Sequence, residues 1–243
     1  MRIYQMETTN HCNAMCDYCP HKDMKREKGF ISLETVRKVI DNCKKENQHY
    51  IALHHMGEPL LHKDIYTICE MFRDNGIKTE FSSNGLAFKS DTLIKLNESG
   101  LNLIRIAMDY LYDTKVDNIF NCIDNFYKIV ENPNLKIYIH TVEGNNLARF
   151  EQFPITVMNK PKDNWAGQVE GESSLTKSEQ CYFLDYNYGV VLWNGDIVNC
   201  CLDADATDVI GTIDSISDLK TREFKLCKNC ARLQFAADGG WTA

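Results

Sequence analysis

Eleven cysteines stand out in this chain of 243 residues, because most of them fall into two clusters. Three of them, Cys43, Cys69 and Cys122, occur singly in stretches of helical periodicity, where a buried, inert thiol is expected. The others lie near the N-terminus or in the last quarter of the chain. The N-terminal cluster is Cys12, Cys16 and Cys19, and the C-terminal cluster is Cys181, Cys200, Cys201, Cys227 and Cys230.

The clustered thiols are expected to be metal ligands rather than disulfides. The N-terminal sequence MRIYQMETTN lacks the apolar core of a signal peptide. No apolar run approaches the roughly 20 residues of a membrane span. The expected location is therefore the cytoplasm, where thiols stay reduced. A net charge of −7 argues against nucleic-acid partners and against anionic membrane surfaces.

The N-terminal cysteines follow a predicted strand directly and could converge on one metal centre. A structural zinc ion takes four ligands, and a four-iron cluster normally takes four cysteines. Three thiolates, from Cys12, Cys16 and Cys19, would leave one iron of such a cluster open to an outside ligand. The alternative is a zinc loop completed by His11 or His21.

The C-terminal cysteines predict a closed metal site. Cys227 and Cys230 form a Cys-x2-Cys loop with the spacing of metal knuckles. Together with Cys181 and one member of the pair Cys200 and Cys201, they supply four thiolates, either for zinc or for a fully ligated iron–sulfur cluster. The members of the pair are adjacent, so on a strand they would point to opposite faces.

Alternating strands and helices are predicted to position these thiols. Strands are expected near residues 2–7, 50–54, 78–82, 102–108, 135–140 and 154–158. Helices are expected over residues 32–45, 65–73, 90–98, 116–130 and 147–153. Six repeats at this spacing predict an α/β fold in which right-handed crossovers curl a parallel sheet into a partial (β/α)6 TIM-like barrel.

The composition changes at residue 159, which predicts a domain boundary. Residues 159–180 are rich in Gly, Asn, Ser and charge and are interpreted as a linker. It would join a barrel core of residues 1–158 to a small C-terminal domain of residues 181–243. In that domain, strand-like segments flank Asn194-Gly195, which is typical of a β-hairpin, and a short helix is expected around residues 216–224.

The Cys-x3-Cys-x2-Cys spacing, with Tyr18 before its last cysteine, resembles the radical S-adenosylmethionine (radical SAM) superfamily. Residues 57–59, Gly-Glu-Pro, resemble that family's glycine-rich motif for the SAM amino group. Residues 81–85 resemble its turn after the third strand, and residues 104–109 a strand with a polar residue facing the cofactor. The resemblance implies SAM and a [4Fe–4S] cluster on the N-terminal thiols. The implied SAM-binding residues are Tyr18, Gly57, Glu58, Pro59, Ser83, Asn84 and Asp109.

The pattern Cys…Gly-x4-Cys…Cys-x2-Cys resembles the SPASM/twitch region of radical SAM enzymes. It selects Cys200 from the adjacent pair and implies a second, auxiliary [4Fe–4S] cluster. No cysteine follows Cys230, which implies the shorter, twitch version. Cys201 would then be a packed residue or a thiol facing the cavity. The implied ligands are Cys181, Cys200, Cys227 and Cys230.

The resemblance implies an enzyme that generates a 5′-deoxyadenosyl radical with an electron from flavodoxin or ferredoxin. An auxiliary cluster that accepts an electron implies a two-electron oxidation. Aminocyclitol alcohol dehydrogenases are the family precedents in size. The first strand is expected at residue 2, without the leader-binding domain of many peptide maturases. This favours a small hydroxylated substrate, such as an amino sugar or a cyclitol.

Three alternatives stay open. One is a maturase that acts on a ribosomal peptide and borrows a separate leader-binding protein. Another is an epimerase in which Cys201 returns a hydrogen atom to the substrate. The third is a non-catalytic zinc-binding interaction protein that uses the same cysteines as structural ligands.

Overall fold

The structure is a computed structural model, and it describes residues 1–108, 113–141, 147–160, 163–173 and 181–231. The strands are β1 Arg2–Met6, β2 Tyr50–Ala52, β3 Lys78–Ser83, β4 Leu103–Ala107, β5 Lys136–Thr141, β6 Thr156–Asn159, β7 Tyr188–Val191, β8 Asp196–Val198 and β9 Val209–Thr212. The α-helices are α1 Leu33–Lys45, α2 Ile65–Asp74, α3 Thr92–Glu98, α4 Asp113–Ile129 and α5 Tyr182–Tyr186. No helix among these residues is long and apolar enough to cross a membrane.

The strands form one sheet in the order β6-β5-β4-β3-β2-β1-β7-β8-β9. Strands β1 to β6 are parallel and neighbour one another in chain order. This arrangement confirms the predicted α/β fold with a parallel sheet of the partial-barrel type. Strand β7 pairs in parallel with β1, and β8 and β9 continue antiparallel from it. The C-terminal hairpin therefore extends the sheet of the barrel at its β1 edge.

Alternation along the strands separates an apolar face from a polar one. Phe81, Ile104 and Ile139 are fully buried and belong to the core that also contains the apolar faces of the helices. Their neighbours point to the opposite face, where the Arg105 guanidinium lies 3.0 Å from the Glu80 carboxylate. Successive residues of a strand point to opposite sides, so the helices cover one face while polar groups line the other.

The predicted helix α1 begins as expected. The Ser32 hydroxyl accepts a hydrogen bond from the Thr35 amide at 3.0 Å, which satisfies one of the free amides of the first turn. The isolated cysteines of α1 and α2, Cys43 and Cys69, are fully buried as predicted. Burial raises the pKa of both thiols to about 12, so they stay protonated and inert.

The hairpin was predicted correctly, but several short elements were not. Gly195 adopts a φ of 91°, which the turn between β7 and β8 requires. The helix predicted over residues 147–153 is a single 3-10 turn, Ala148–Phe150. The helix predicted near residues 216–224 is a 3-10 helix, Ile213–Asp218, which buries Ile213 and Ile216. Their spacing of three residues matches the 3-10 period.

Candidate metal and cofactor sites

The N-terminal cysteines lie in the loop that follows β1. All three thiols are half-buried, whereas Met15, between two of them, is 64% exposed. Burial raises the pKa of Cys19 to about 11, and the neighbouring thiols of Cys16 and Cys12 add to the effect. The thiols of Cys16 and Cys12 therefore lie within electrostatic reach of Cys19.

The two histidines proposed as a fourth zinc ligand are engaged elsewhere. His21 is buried, and its Nε2 donates a hydrogen bond to the carbonyl of Asn10 at 2.9 Å. The ring of His11 stacks on Phe30, with 4.6 Å between the ring centroids. The hydrogen bond of His21 and the ring stacking of His11 disfavour the zinc alternative for this loop. Within the described ranges, no three His, Cys, Asp or Glu side chains, the clustered thiols included, are arranged to hold a single metal ion.

Gly57 brings the loop after β2 against the cysteine loop. A Cβ atom at this position would lie 2.3 Å from the carbonyl oxygen of Thr9 and 2.8 Å from that of His11. The amide of Glu58 donates a hydrogen bond to the same His11 carbonyl at 2.8 Å. Only glycine allows this approach of two backbones, which places residues 57–59 beside the loop that carries the thiols.

The Glu58 carboxylate is only 1% exposed and accepts three hydrogen bonds from the chain itself. The donors are the Ser83 hydroxyl at 2.9 Å, the Asn84 amide at 2.7 Å and the Leu60 amide at 3.1 Å. Burial raises the pKa of Glu58 to about 7, against these three donors. The Glu58 carboxylate thus binds the loop after β3. Its expected contact with the SAM ammonium stays a prediction.

The loop after β3 reaches back to the first cysteine. The Asn84 side-chain amide lies 3.6 Å from the Cys12 sulfur and donates to the Asn13 side chain at 2.9 Å. The structure thus brings Cys12, Glu58 and Asn84 together at the carboxyl ends of β1, β2 and β3.

The remaining predicted SAM-binding residues differ in how the structure places them. Pro59 is buried and begins a single 3-10 turn, Pro59–Leu61. Tyr18 is 37% exposed. Asp109 lies outside the described residues. Their roles toward SAM therefore stay predictions.

The four thiols that the sequence pattern selects near the C-terminal end, Cys181, Cys200, Cys227 and Cys230, line one cavity. The amide of Leu202 donates to the Cys200 sulfur at 3.4 Å, and that of Phe224 donates to the Cys227 sulfur at 3.5 Å. Hydrogen bonds to sulfur are among the means by which proteins tune iron–sulfur clusters. The other lining residues are mostly apolar: Ala166, Phe183, Leu184, Asn199, Leu202, Arg222, Phe224 and Leu226.

The expectation that Cys200 and Cys201 point to opposite faces of a strand is wrong. Strand β8 ends at Val198, and the two cysteines lie in the turn beyond it. There the side chain of Asn199 bonds to both backbone groups of Arg222, which takes the place of strand pairing. The Cys201 thiol donates a hydrogen bond to the Cys200 sulfur and lowers the pKa of Cys200. Cys201 is not among the described residues that line the cavity, but its thiol lies close to those of Cys200 and Cys230.

Glu7, directly after β1, is one of several buried polar groups that sequence reasoning missed. Its carboxylate pairs with Arg26, and both His55 and the amide of Met56 lie against it. A carboxylate directly after a buried strand is the signal that could have marked Glu7. Arg26 follows it by 19 residues, and no periodicity connects the two.

Comparison with known proteins identifies the family. The sequence model of the Radical SAM superfamily matches residues 6–152. The GTP 3′,8-cyclase of Staphylococcus aureus is 24% identical over an alignment of 270 residues, which covers 98% of this chain and 77% of that protein. The chain spans less than two thirds of the length of several other curated relatives, 63% in one and 37% in another.

Two solved structures share the fold. BtrN in complex with AdoMet and 2-DOIA has a TM-score of 0.66 at 20% identity, covering 90% of this chain and 81% of that one. SuiB of Streptococcus suis bound to precursor peptide SuiA has a TM-score of 0.63 at 15% identity, covering 95% and 69%. At these identities the likeness concerns the fold alone. Because the family model matches more than half of its length, the chain belongs to the radical SAM superfamily.

Proposed function

We propose that this enzyme oxidises a small hydroxylated metabolite, an amino sugar or a cyclitol, by two electrons. The observation that carries the proposal is the C-terminal cavity, because a second set of four thiols is suited to an electron acceptor. The BtrN complex with 2-DOIA, whose fold this chain shares, adds support for a small-molecule substrate. The electron for SAM cleavage would come from a partner such as flavodoxin or ferredoxin in the cytoplasm.

The N-terminal thiols would hold the SAM-binding [4Fe–4S] cluster. Cys12, Cys16 and Cys19 are half-buried, and the thiols of Cys16 and Cys12 raise the pKa of Cys19. Three ligands leave one iron open, as the family's chemistry needs. Bound cluster and SAM together supply a 5′-deoxyadenosyl radical that takes a hydrogen atom from the substrate. The residues proposed to line the SAM side are Tyr18, Gly57, Glu58, Pro59, Ser83, Asn84 and Asp109.

The C-terminal thiols would hold the auxiliary [4Fe–4S] cluster. The cavity is lined by the four thiols and by mostly apolar side chains, and backbone amides donate to two of the sulfur atoms, which suits a cluster. We propose that residues 181–243 are a twitch-like domain, joined by residues 159–180 to a core of residues 1–158. The proposed ligands are Cys181, Cys200, Cys227 and Cys230.

Buried polar atoms on the inner face of the barrel support a hydroxylated substrate. Among the described residues, Gln5 Oε1, His54 Nδ1 and His140 Nδ1 are buried without a hydrogen-bond partner. Burial, with the charges of Lys160 and Arg105, lowers the pKa of His54 to about 3 and that of His140 to about 2. Both imidazoles are therefore neutral at physiological pH. A neutral imidazole offers one donor and one acceptor, which suits substrate hydroxyl groups.

The proposed reaction oxidises an alcohol carbon of the substrate by two electrons. A carbon that bears a hydroxyl group loses a hydrogen atom to the 5′-deoxyadenosyl radical, a proton to solvent and an electron to the auxiliary site. The C–OH group becomes C=O, and each turnover consumes one SAM and one electron from the reducing partner. The product is therefore lighter than the substrate by two hydrogen atoms.

The test is an anaerobic incubation of the reconstituted enzyme with SAM, a reductant and a panel of amino sugars and cyclitols that includes 2-DOIA. Mass spectrometry is expected to find a product lighter by about 2 mass units, formed in step with 5′-deoxyadenosine. An isomer of unchanged mass that takes up solvent deuterium would instead establish an epimerase. A mass change in a peptide substrate alone would establish a maturase.

The epimerase alternative rests on Cys201. Cys201 is half-buried and packs against a cluster that includes Tyr4 and Phe183. The maturase alternative rests on the fold shared with SuiB, which was solved with a precursor peptide. An enzyme with Cys201→Ala that still yields the oxidised product would exclude the epimerase.

A further inference from the structure

Glu7 is a buried anion at the end of β1. Its carboxylate is fully buried and accepts hydrogen bonds from both terminal nitrogens of Arg26, one of them at 2.7 Å. His55 Nδ1 lies 3.3 Å away, and the amides of Met56 and Trp193 donate at 3.2 and 3.4 Å. Burial alone would raise the pKa of Glu7, but the hydrogen bonds from Arg26 and His55 lower it to about 2.

Arg26 extends this contact to the segment that follows Cys200. Its Nε donates to the carbonyl of Ala204 at 2.7 Å. The backbone amides of Lys25 and Arg26 both donate to Asp205 Oδ1, at 2.6 and 2.9 Å. One short segment after the cysteine loop therefore holds residues 204–205 through three hydrogen bonds.

His55 makes a second connection to the same segment. Its Nε2 donates to the carbonyl of Cys201 at 3.0 Å, while its Nδ1 faces Glu7 at 3.3 Å. The His55 ring therefore lies between the Glu7 carboxylate and the backbone of Cys201.

These contacts join three parts of the chain that carry proposed cofactor residues. Lys25 and Arg26 follow the loop of Cys12, Cys16 and Cys19. His55 and Met56 directly precede Gly57 and Glu58. Residues 201–205 directly follow Cys200, whose thiol lines the C-terminal cavity.

We propose that Glu7, Arg26 and His55 are positioning residues that hold residues 201–205 in a fixed position relative to the N-terminal cysteine loop. Because residues 201–205 follow Cys200, the same contacts would fix the position of the cavity of four thiols. The proposal rests on the proposed function only in treating the two thiol sets as cofactor sites. These residues act through the backbone of residues 201–205 and through the Asp205 side chain. A buried carboxylate that loses its partner is strongly destabilising, so the connection is rigid only while the pair is intact.

The barrel offers a matched control in a second buried ion pair. Glu80 and Arg105 lie on β3 and β4, 3.0 Å apart, and are as deeply buried as Glu7 and Arg26. The hydrogen bonds between these two side chains join β3 to β4 within the barrel. Loss of the control pair should therefore lower stability without affecting the C-terminal segment.

The experiment compares Glu7→Gln and Glu80→Gln in the reconstituted full chain. Backbone hydrogen exchange over residues 199–208 is expected to rise at least about 10-fold in Glu7→Gln and to stay within about 2-fold of wild type in Glu80→Gln. Iron at the C-terminal site should become removable by a chelator in Glu7→Gln alone. Equal exchange in both variants, or no change in Glu7→Gln, would overturn the proposal.

Milder variants keep the test decisive if Glu7→Gln fails to fold. Arg26→Lys preserves the positive charge but loses the contact of two guanidinium nitrogens with Glu7. Asp205→Ala leaves the Glu7–Arg26 pair intact and removes the two hydrogen bonds that the backbone amides of Lys25 and Arg26 donate to Asp205. Both are expected to raise exchange over residues 199–208 by about 3-fold or more. A wild-type protein without iron would contradict the proposed function, whereas the exchange comparison would still decide the positioning proposal.

Discussion

The loop that carries Cys12, Cys16 and Cys19 differs from the C-terminal cavity in what surrounds its thiols. Beside the loop lie a buried carboxyl group, Glu58, and the Asn84 amide, which contacts the Cys12 sulfur at 3.6 Å. The residues that line the C-terminal cavity in the described structure include no carboxylate and are mostly apolar. Three thiols with polar neighbours suit a site that binds a further molecule. Four thiols in an apolar cavity suit a closed one.

The largest expected effect comes from removing the three N-terminal thiols, which form the open site. Replacing Cys12, Cys16 and Cys19 together by alanine is expected to abolish reductive SAM cleavage, because no thiolate would remain to hold the cluster there. The measurement is 5′-deoxyadenosine formed with SAM and a strong reductant under anaerobic conditions. The matched control replaces the buried Cys43, Cys69 and Cys122, which should leave cleavage measurable. Continued formation of 5′-deoxyadenosine by the first variant would contradict the assignment.

The adjacent pair Cys200 and Cys201 tests which thiols are ligands at the C-terminal cavity, the closed site. Cys200 lines the cavity and Cys201 does not, so Cys200→Ala should lower bound iron by about four per chain, whereas Cys201→Ala should keep it. As a packed residue, Cys201 should contribute about 1 kcal/mol or less to the free energy of unfolding. Iron analysis and chemical denaturation measure the two effects. Iron loss in Cys201→Ala but not in Cys200→Ala would reverse the ligand assignment.

A smaller effect tests the burial of the Glu58 carboxyl group beside the N-terminal thiols. Burial raises the pKa of Glu58 from 4.5 to about 7 in the folded protein, so ionisation of this group opposes folding. Relative to Glu58→Gln, the metal-free wild type should lose about 3 kcal/mol of unfolding free energy as the pH rises from 4.5 to 7. Above about pH 7 the difference should stay constant. Denaturation at several pH values measures it, and parallel curves for the two proteins would contradict a buried Glu58 carboxyl.

The convergence of the open site could be predicted from sequence, because the carboxyl ends of neighbouring parallel strands meet at one edge of a sheet. Glu58 and Asn84 follow β2 and β3 and lie together near Cys12 for this reason. The strands themselves were visible from buried alternating residues such as Phe81 and Ile104. The structure was needed only to show that the Glu58 carboxylate accepts hydrogen bonds from its own chain.

The contacts between the two sites could not be predicted, because they depend on loop paths rather than on periodicity. Asp205 accepts hydrogen bonds from residues about 180 positions earlier in the chain. The turn at Cys200 and Cys201 escaped prediction because the Asn199 side chain, bonded to the backbone of Arg222, ends the strand pairing. Short elements such as α5 and β9 contain too few residues to show a period.

Iron and sulfide content per chain tests the central claim most directly. After anaerobic reconstitution, the wild type is predicted to hold about eight irons, and a variant lacking Cys12, Cys16 and Cys19 about four. A variant lacking Cys181, Cys200, Cys227 and Cys230 should also hold about four, with its SAM-binding cluster intact. A colourless wild type that binds zinc, or a protein in which removing either set abolishes all iron, would contradict two separate sites, one open and one closed.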